Sequence, residues 1–302
     1  MPTSKAALVH SKSVMTRPPG NSVSSVERAM RILRVMSEGG NSRLTDIAAA
    51  ADLDKATALR LLEMMVRDGF VARNTVNKQF TLGPELMVLG AAALRRFDPR
   101  PLVRPSLMRL VGQFEDSVVL SMPSGIESLC IDVEEGTYPI RANYLRVGSR
   151  RPLGVGAGSL ALLAWMPEAE REAALDILLS QLQRYPLINA QLLHDRIAES
   201  RDKGYSVLLD VVVERMGGIG VPILDSDGKP VAAISIAALN DRILSRESEM
   251  GQALLREALI CQVRWAEATQ VGARTEHRAA AQRRPGQTSE QTQEQSKRRH
   301  IG

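Results

Sequence analysis

The sequence predicts an α+β protein in which a small three-helix block closed by a β-hairpin precedes a larger mixed domain. Three observations lead there. The chain has 302 residues, more than one average domain. Between Ser25 and Leu82, three short segments with apolar residues at three- and four-residue spacing give way to two alternating runs around a polar turn. That is the order of a winged helix-turn-helix. Beyond Asp98-Pro99, strand-like runs and helices intermix, as they do in α+β domains.

In the first block Ser25 is placed to cap a helix with Val26, Met30, Leu33 and Met36 on its apolar stripe, ended by Gly39-Gly40. A short second helix, Leu44 to Ala51, turns Ile47 and Ala48 inward. Asp54 then caps a third, with Leu59, Leu62, Met65 and Val66 on one side and Gly69 as its stop. Phe70 to Arg73 and Gln79 to Leu82 form the hairpin. Leu86 to Arg96 reads as a connecting helix. A helix from Val103 to Phe114 follows, then strands at 117–122, 128–133 and 140–147. The glycine-rich turn Gly154–Gly158 opens an apolar helix, Ser159 to Trp165. Helices at 168–179 and 190–203, strands at 205–209, 218–224 and 231–238, and a last helix from Ser245 to about Ala268 complete the series. The expected organisation is an arm over 1–22, a winged helix-turn-helix over 23–84, a linker helix over 85–98 and a sensor domain over 99–272. A disordered basic tail over 273–302 closes it.

Composition narrows the function classes. Aromatic residues make up 3 %, so the cores are aliphatic. Cys130 and Cys261 are far apart without metal-ligand spacing, which predicts two reduced, buried thiols and no metal or cofactor site. No apolar run is long enough for a membrane span, and the N-terminus lacks a signal-peptide core. A cytoplasmic protein is expected. The net charge of +5 does not by itself mark a nucleic-acid binder: residues 1–20 hold +3 of it and residues 273–302 hold +4. Histidine is scarce, at four, and no catalytic motif of the G-x-S-x-G, H-E-x-x-H or P-loop kind is present. An enzyme is therefore the weaker reading. A sensor acting through protein contacts is the other rival.

The third helix supplies the chemistry for reading duplex DNA. Its start, Lys55-Ala56-Thr57-Ala58-Leu59-Arg60, combines small residues that admit the backbone to the major groove with donors for bases and phosphates. Arg60 can reach guanine or phosphate, Lys55 phosphate, and Ala58 or the Thr57 methyl a thymine methyl group. Arg73 and Lys78 flank the hairpin turn and add positive charge to a wing. Thr45, at the start of the second helix, completes the expected set. An amphipathic bundle with a solvated charged face is the bland alternative.

These segments resemble the IclR-type transcriptional regulators. Ser25-Val26-Glu27-Arg28-Ala29 with Ile32-Leu33 is similar to that family's opening helix. Leu44-Thr45-Asp46-Ile47-Ala48, Asp54-Lys55-Ala56-Thr57 and Gly69-Phe70-Val71 resemble its helix-turn-helix. The likeness continues through Phe80-Thr81-Leu82-Gly83, Arg146-Val147-Gly148, Pro152-Leu153, Gly204-Tyr205 and Val221-Pro222-Ile223. It implies a GAF-like effector-binding domain, a dimer or dimer of dimers, a DNA operator as partner and no enzymatic activity.

Read from the residues alone, the Gly154–Ser159 turn is either an anion site at a helix start or a turn that packing requires. The resemblance favours the site and a small organic acid as effector. It implies that Gly156 and Ala157 contact the acid, with Gly218, Ile219 and Ser235 on facing strands. Several positions depart from the family. Gly218 replaces a frequent cysteine, Gly154-Val155-Gly156 replaces His-Cys-Thr, and Leu208-Leu209 replace an acidic pair, leaving Asp210 as the nearest carboxylate. The loss of polar donors predicts a bulkier, flatter ligand, aromatic acids included.

Overall fold

The computed structural model describes residues 24–141 and 145–282. The expected arm over 1–22 and the tail beyond 282 lie outside the described residues.

The first block holds α1 (Ser25–Ser37), α2 (Leu44–Ala50) and α3 (Lys55–Arg67). Ser24, not Ser25, caps α1. Its hydroxyl accepts from the Glu27 N–H at 3.2 Å while the Glu27 carboxylate accepts from the Ser24 N–H at 2.8 Å. Asp54 caps α3 by accepting from the Thr57 N–H at 2.8 Å. The antiparallel pair β1 (Val71–Arg73) and β2 (Phe80–Leu82) follows, with Val71 opposite Leu82. Ile32, Ile47, Leu62 and Phe80 fill the core.

Two helix faces differ from expectation. Val26 and Met30 are 66 % and 50 % exposed; Met36 is buried as expected, together with Ile32 and Val35, and Leu33 packs partly against them. On α3 the buried stripe is Ala58, Leu61, Leu62 and Met65. Both helices carry overlapping apolar stripes roughly one residue apart, and the neighbours they pack on select between them.

Glycine at 83 brings the end of β2 against the start of β1: a Cβ there would lie 2.1 Å from the Gly69 carbonyl oxygen. Next comes α4 (Glu85–Arg96), on which Met87, Val88, Leu89 and Leu94 are exposed.

The larger domain is built on a six-stranded antiparallel sheet of β3 (Ser117–Ser124), β4 (Glu127–Glu134), β5 (Arg150–Pro152), β6 (Ser206–Leu209), β7 (Met216–Leu224) and β8 (Pro230–Leu239). Its spatial order is β5-β4-β3-β8-β7-β6. Side chains alternate across the sheet, so each face takes its own layer. Val118, Leu120, Ile219, Val221, Ile234 and Ile236 meet α5 (Arg100–Phe114) and α9 (Asn240–Gln282, kinked at Arg246). The other face receives α6 (Ala157–Trp165), with α7 (Glu168–Gln181) and α8 (Ala190–Lys203) beyond it. Arg104 of α5 binds Asp132 and Glu134 of β4, both at 2.8 Å, and Arg109 binds Glu257 of α9. The helix that follows the linker is thus tied to both neighbours.

Three expectations need correction here. No strand forms among the described residues of 140–147. The third strand of that half is Arg150–Pro152, paired with β4 through Ser128 opposite Arg151. The last helix is longer than expected, and residues 273–282, expected in the tail, continue it. Their alanine, arginine and glutamine content favours helix over coil.

Candidate functional site

The winged block presents one surface. Along α3 the residues opposite the buried stripe are Ala56, Arg60, Glu63 and Arg67, spaced four, three and four apart, and all are exposed. Lys55 is exposed at one margin of that stripe and Thr57 half-buried at the other. Ala58, expected to meet a thymine methyl, has no accessible surface and faces the core. The small outward residue of the first turn is Ala56. Thr45 is exposed on α2 and its hydroxyl donates to Asp46 at 3.1 Å.

The wing turn is organised by Asn74, whose side chain accepts from the N–H groups of Val76 and Asn77. This leaves Arg73 and Lys78 exposed at its two ends, with the Arg73 guanidinium 5.2 Å from the centre of the Phe80 ring. Exposed basic donors on a helix and hairpin, with a small residue at the helix start, suit a DNA groove and its phosphates.

The second site is a cavity of about 50 Å³ between the start of α6 and the sheet. Gly156 is the N-cap of α6, at φ +98°, and supplies no side-chain cap. The first N–H groups of the helix, those of Ala157, Gly158 and Ser159, have no intrahelical partner by geometry.

The two readings of the glycine-rich turn divide by residue. Gly154, at φ +86°, would put a Cβ 2.8 Å from Leu193 and is held by backbone conformation and packing, whereas at Gly158 a Cβ would lie 2.9 Å from the Ser235 hydroxyl and enter the cavity. At Gly156 the nearest atom to a Cβ would be the Arg151 guanidinium at 3.4 Å, so this glycine borders the cavity. Gly220 lets α6 settle on β7, because a Cβ there would come within 2.9 Å of the Gly158 backbone nitrogen.

Four expected effector residues line the cavity: Gly156, Ala157, Gly218 and Ser235. Two do not. Ile219 is fully buried in the layer under α5 and α9, because it alternates with Gly218 and faces the opposite side of the sheet. Asp210 is exposed in the turn after β6. There its carboxylate accepts from the Arg215 N–H and the Asn240 side chain, each at 2.7 Å.

Sequence reasoning missed Arg151, Ser121 and Ser128, which the β3–β4–β5 ladders bring to the same cavity. The Arg-Arg-Pro run before the glycine turn was the available signal. Cys130, beside Ser128 on β4, is buried, and burial pushes its thiol up to about 12, so it is an inert thiol at neutral pH. Cys261 is buried as well. Among the described residues, no group of His, Cys, Asp and Glu is arranged to hold a metal ion, and no helix is long and apolar enough to cross a membrane.

A winged helix-turn-helix followed by this α+β domain matches known proteins along most of its length. The profile described as the bacterial transcriptional regulator IclR C-terminal domain matches residues 91–262, and the IclR helix-turn-helix domain profile matches residues 25–75. The chain belongs to the IclR family. Curated proteins similar to this IclR-family chain are named as transcriptional regulators. The regulator XynR of Escherichia coli is 27 % identical over 73 % of this chain and 88 % of its own length. The probable regulator SauR of Cupriavidus necator is 29 % identical over 69 % and 83 %. Among solved structures, the Thermotoga maritima IclR protein is 26 % identical with a TM-score of 0.59, covering 79 % of this chain and 97 % of its own. An IclR homologue from Microbacterium hydrocarbonoxydans, solved with 4-hydroxybenzoate, is 24 % identical with a TM-score of 0.65, covering 80 % and 98 %. That second likeness speaks to the fold.

Proposed function

We propose that this IclR-family regulator binds a two-fold symmetric DNA operator as a homodimer, and that a small organic acid in the α6 cavity changes that binding. Within the reading, residues 23–84 meet DNA, 85–98 link, and 99–272 hold the effector. Lys55, Thr57, Arg60, Arg73, Lys78 and Thr45 are the DNA-facing set, to which Ala56 is added.

The observation that carries the reading is the pairing of two surfaces in one chain. One is an exposed α3 stripe centred on Arg60; the other is a cavity where an uncapped helix start meets an arginine and buried hydroxyls. One helix and wing read only a few base pairs, so two copies are needed for an operator. The exposed Val26 and Met30 of α1, with Met87, Leu89 and Leu94 of α4, are the apolar residues that support self-association. The space favours a compact ligand. A cavity of about 50 Å³ is well short of the ~150 Å³ that accepts a benzene ring, so the flat aromatic acid expected from sequence needs the lining to move.

The test is footprinting on the intergenic DNA beside its own gene, at several salt concentrations, with sedimentation of the free and DNA-bound protein. Protection of paired half-sites by a dimer is the expected result. A monomer at micromolar concentration, or binding without sequence preference, would sink the proposal.

A further inference from the structure

The cavity's polar side chains gather toward one edge of the sheet, among apolar Leu145 and Val155, and the strand order fixes which edge it is. Arg151 stands on β5, the edge strand, with Ser128 of β4 directly opposite it in the ladder. Ser121 of β3 and Ser235 of β8 come next. Past the glycines of β7 the lining turns apolar, with Leu208 of β6, Val211, Val212 and Met216. Arg151 is the one charged side chain among the described lining residues. Ser121, Ser128 and Ser235 are each more than nine-tenths buried, and none of their hydroxyls has a hydrogen-bond partner among the described residues. Their residues are buried but their oxygens open on the cavity, where they are free to bond a polar occupant.

We infer that Arg151 selects the charge of the effector and fixes its direction. The carboxylate of a short monocarboxylic acid sits at the β5 edge on the guanidinium, with the serine hydroxyls and the first N–H groups of α6 around it. The hydrocarbon tail points toward Leu208, Val211 and Met216. This rests on the organic-acid reading above and adds to it a selectivity. A dicarboxylate leaves its second charge against apolar side chains, and an amide loses the charge-assisted bond.

The test uses the full-length protein, with ligand-induced shifts in melting temperature and calorimetric titration as readouts. The probes are acetate, propionate, malonate and propionamide at matched concentrations, all small enough to suit a cavity of about 50 Å³ better than a ring. Both monocarboxylates are expected to stabilise the wild type, and malonate and propionamide are not. Arg151→Gln should weaken monocarboxylate binding by roughly tenfold or more, the effect of losing a hydrogen bond to a charged group. Arg151→Lys should restore part of the loss, which separates charge from a mere folding defect. Ser128→Ala should weaken binding by less. Equal monocarboxylate binding by wild type and Arg151→Gln overturns the role of Arg151 while leaving the acid site standing. Malonate binding as well as propionate overturns the head-to-tail placement. Failure of both monocarboxylates on the wild type overturns this inference; loss of acid-dependent footprint changes is the separate failure of the broader reading.

Discussion

The winged block and the α6 cavity assemble their polar groups in opposite ways. Arg60 and Lys55 sit on one thirteen-residue helix whose exposed face is set by its own period. Arg151, Ser121, Ser128 and Ser235 come from four strands, and they meet only because the ladders are in register. A reader of DNA gains from donors that project into solvent, where a groove can reach them. A ligand cavity needs donors withdrawn from water, so it draws them from separate parts of the chain. The first surface can lose one residue and keep its shape. The second depends on close backbone contacts around it.

Substitutions should separate the two regions, and the largest effect is expected at the sheet. Gly220→Val places side-chain atoms against the backbone of α6 and should cost about 3 kcal/mol, the upper range for overpacking. Urea denaturation measures it; an unchanged midpoint would show that α6 does not rest on β7 as described. Next is Arg60→Ala, expected to weaken specific operator binding by about 1–3 kcal/mol without changing the denaturation midpoint. Quantitative footprinting decides this, and equal affinity would remove the outward stripe of α3 as the reader.

Lys78→Ala on the wing should weaken binding evenly across sequences. It should also reduce the slope of log affinity against log salt by about 0.9, one phosphate contact. A change in sequence preference would assign Lys78 to a base instead.

The smallest effect concerns the cap of α3. The Thr57 N–H holds the Asp54 carboxyl below the usual aspartate range. Its contribution is therefore fully present above the ordinary aspartate value and is lost as pH falls through the lower folded value. Unfolding midpoints followed from about pH 5 to about pH 2.5 should show a shallow acid loss that Asp54→Asn removes, because asparagine caps without titrating. An identical acid profile in the variant would exclude Asp54 as its source.

How far each region was legible follows from the range of its contacts. The helices, the hairpin and the exposed Lys55, Arg60, Arg73 and Lys78 could be read from spacing, because capping residues and period act over a few residues. Even there, the sequence left a choice of stripe, and Ala58 went to the core because α3 packs against α1 and α2. In the larger domain the local signals located most strands and the Gly156 turn. The alternation rule could already have excluded Ile219, next to Gly218 on one strand.

Nothing local placed Arg151 beside Gly156 or set Ser121, Ser128 and Ser235 around one space. The amino-acid sequence by itself determined a winged helix-turn-helix followed by an α+β domain, together with the family. The tertiary structure alone decided which side chains share the cavity, and it removed Asp210 from it. Helix period and caps are fixed by neighbours in the chain, whereas a cavity is fixed by strand order and register, which only the packed sheet supplies.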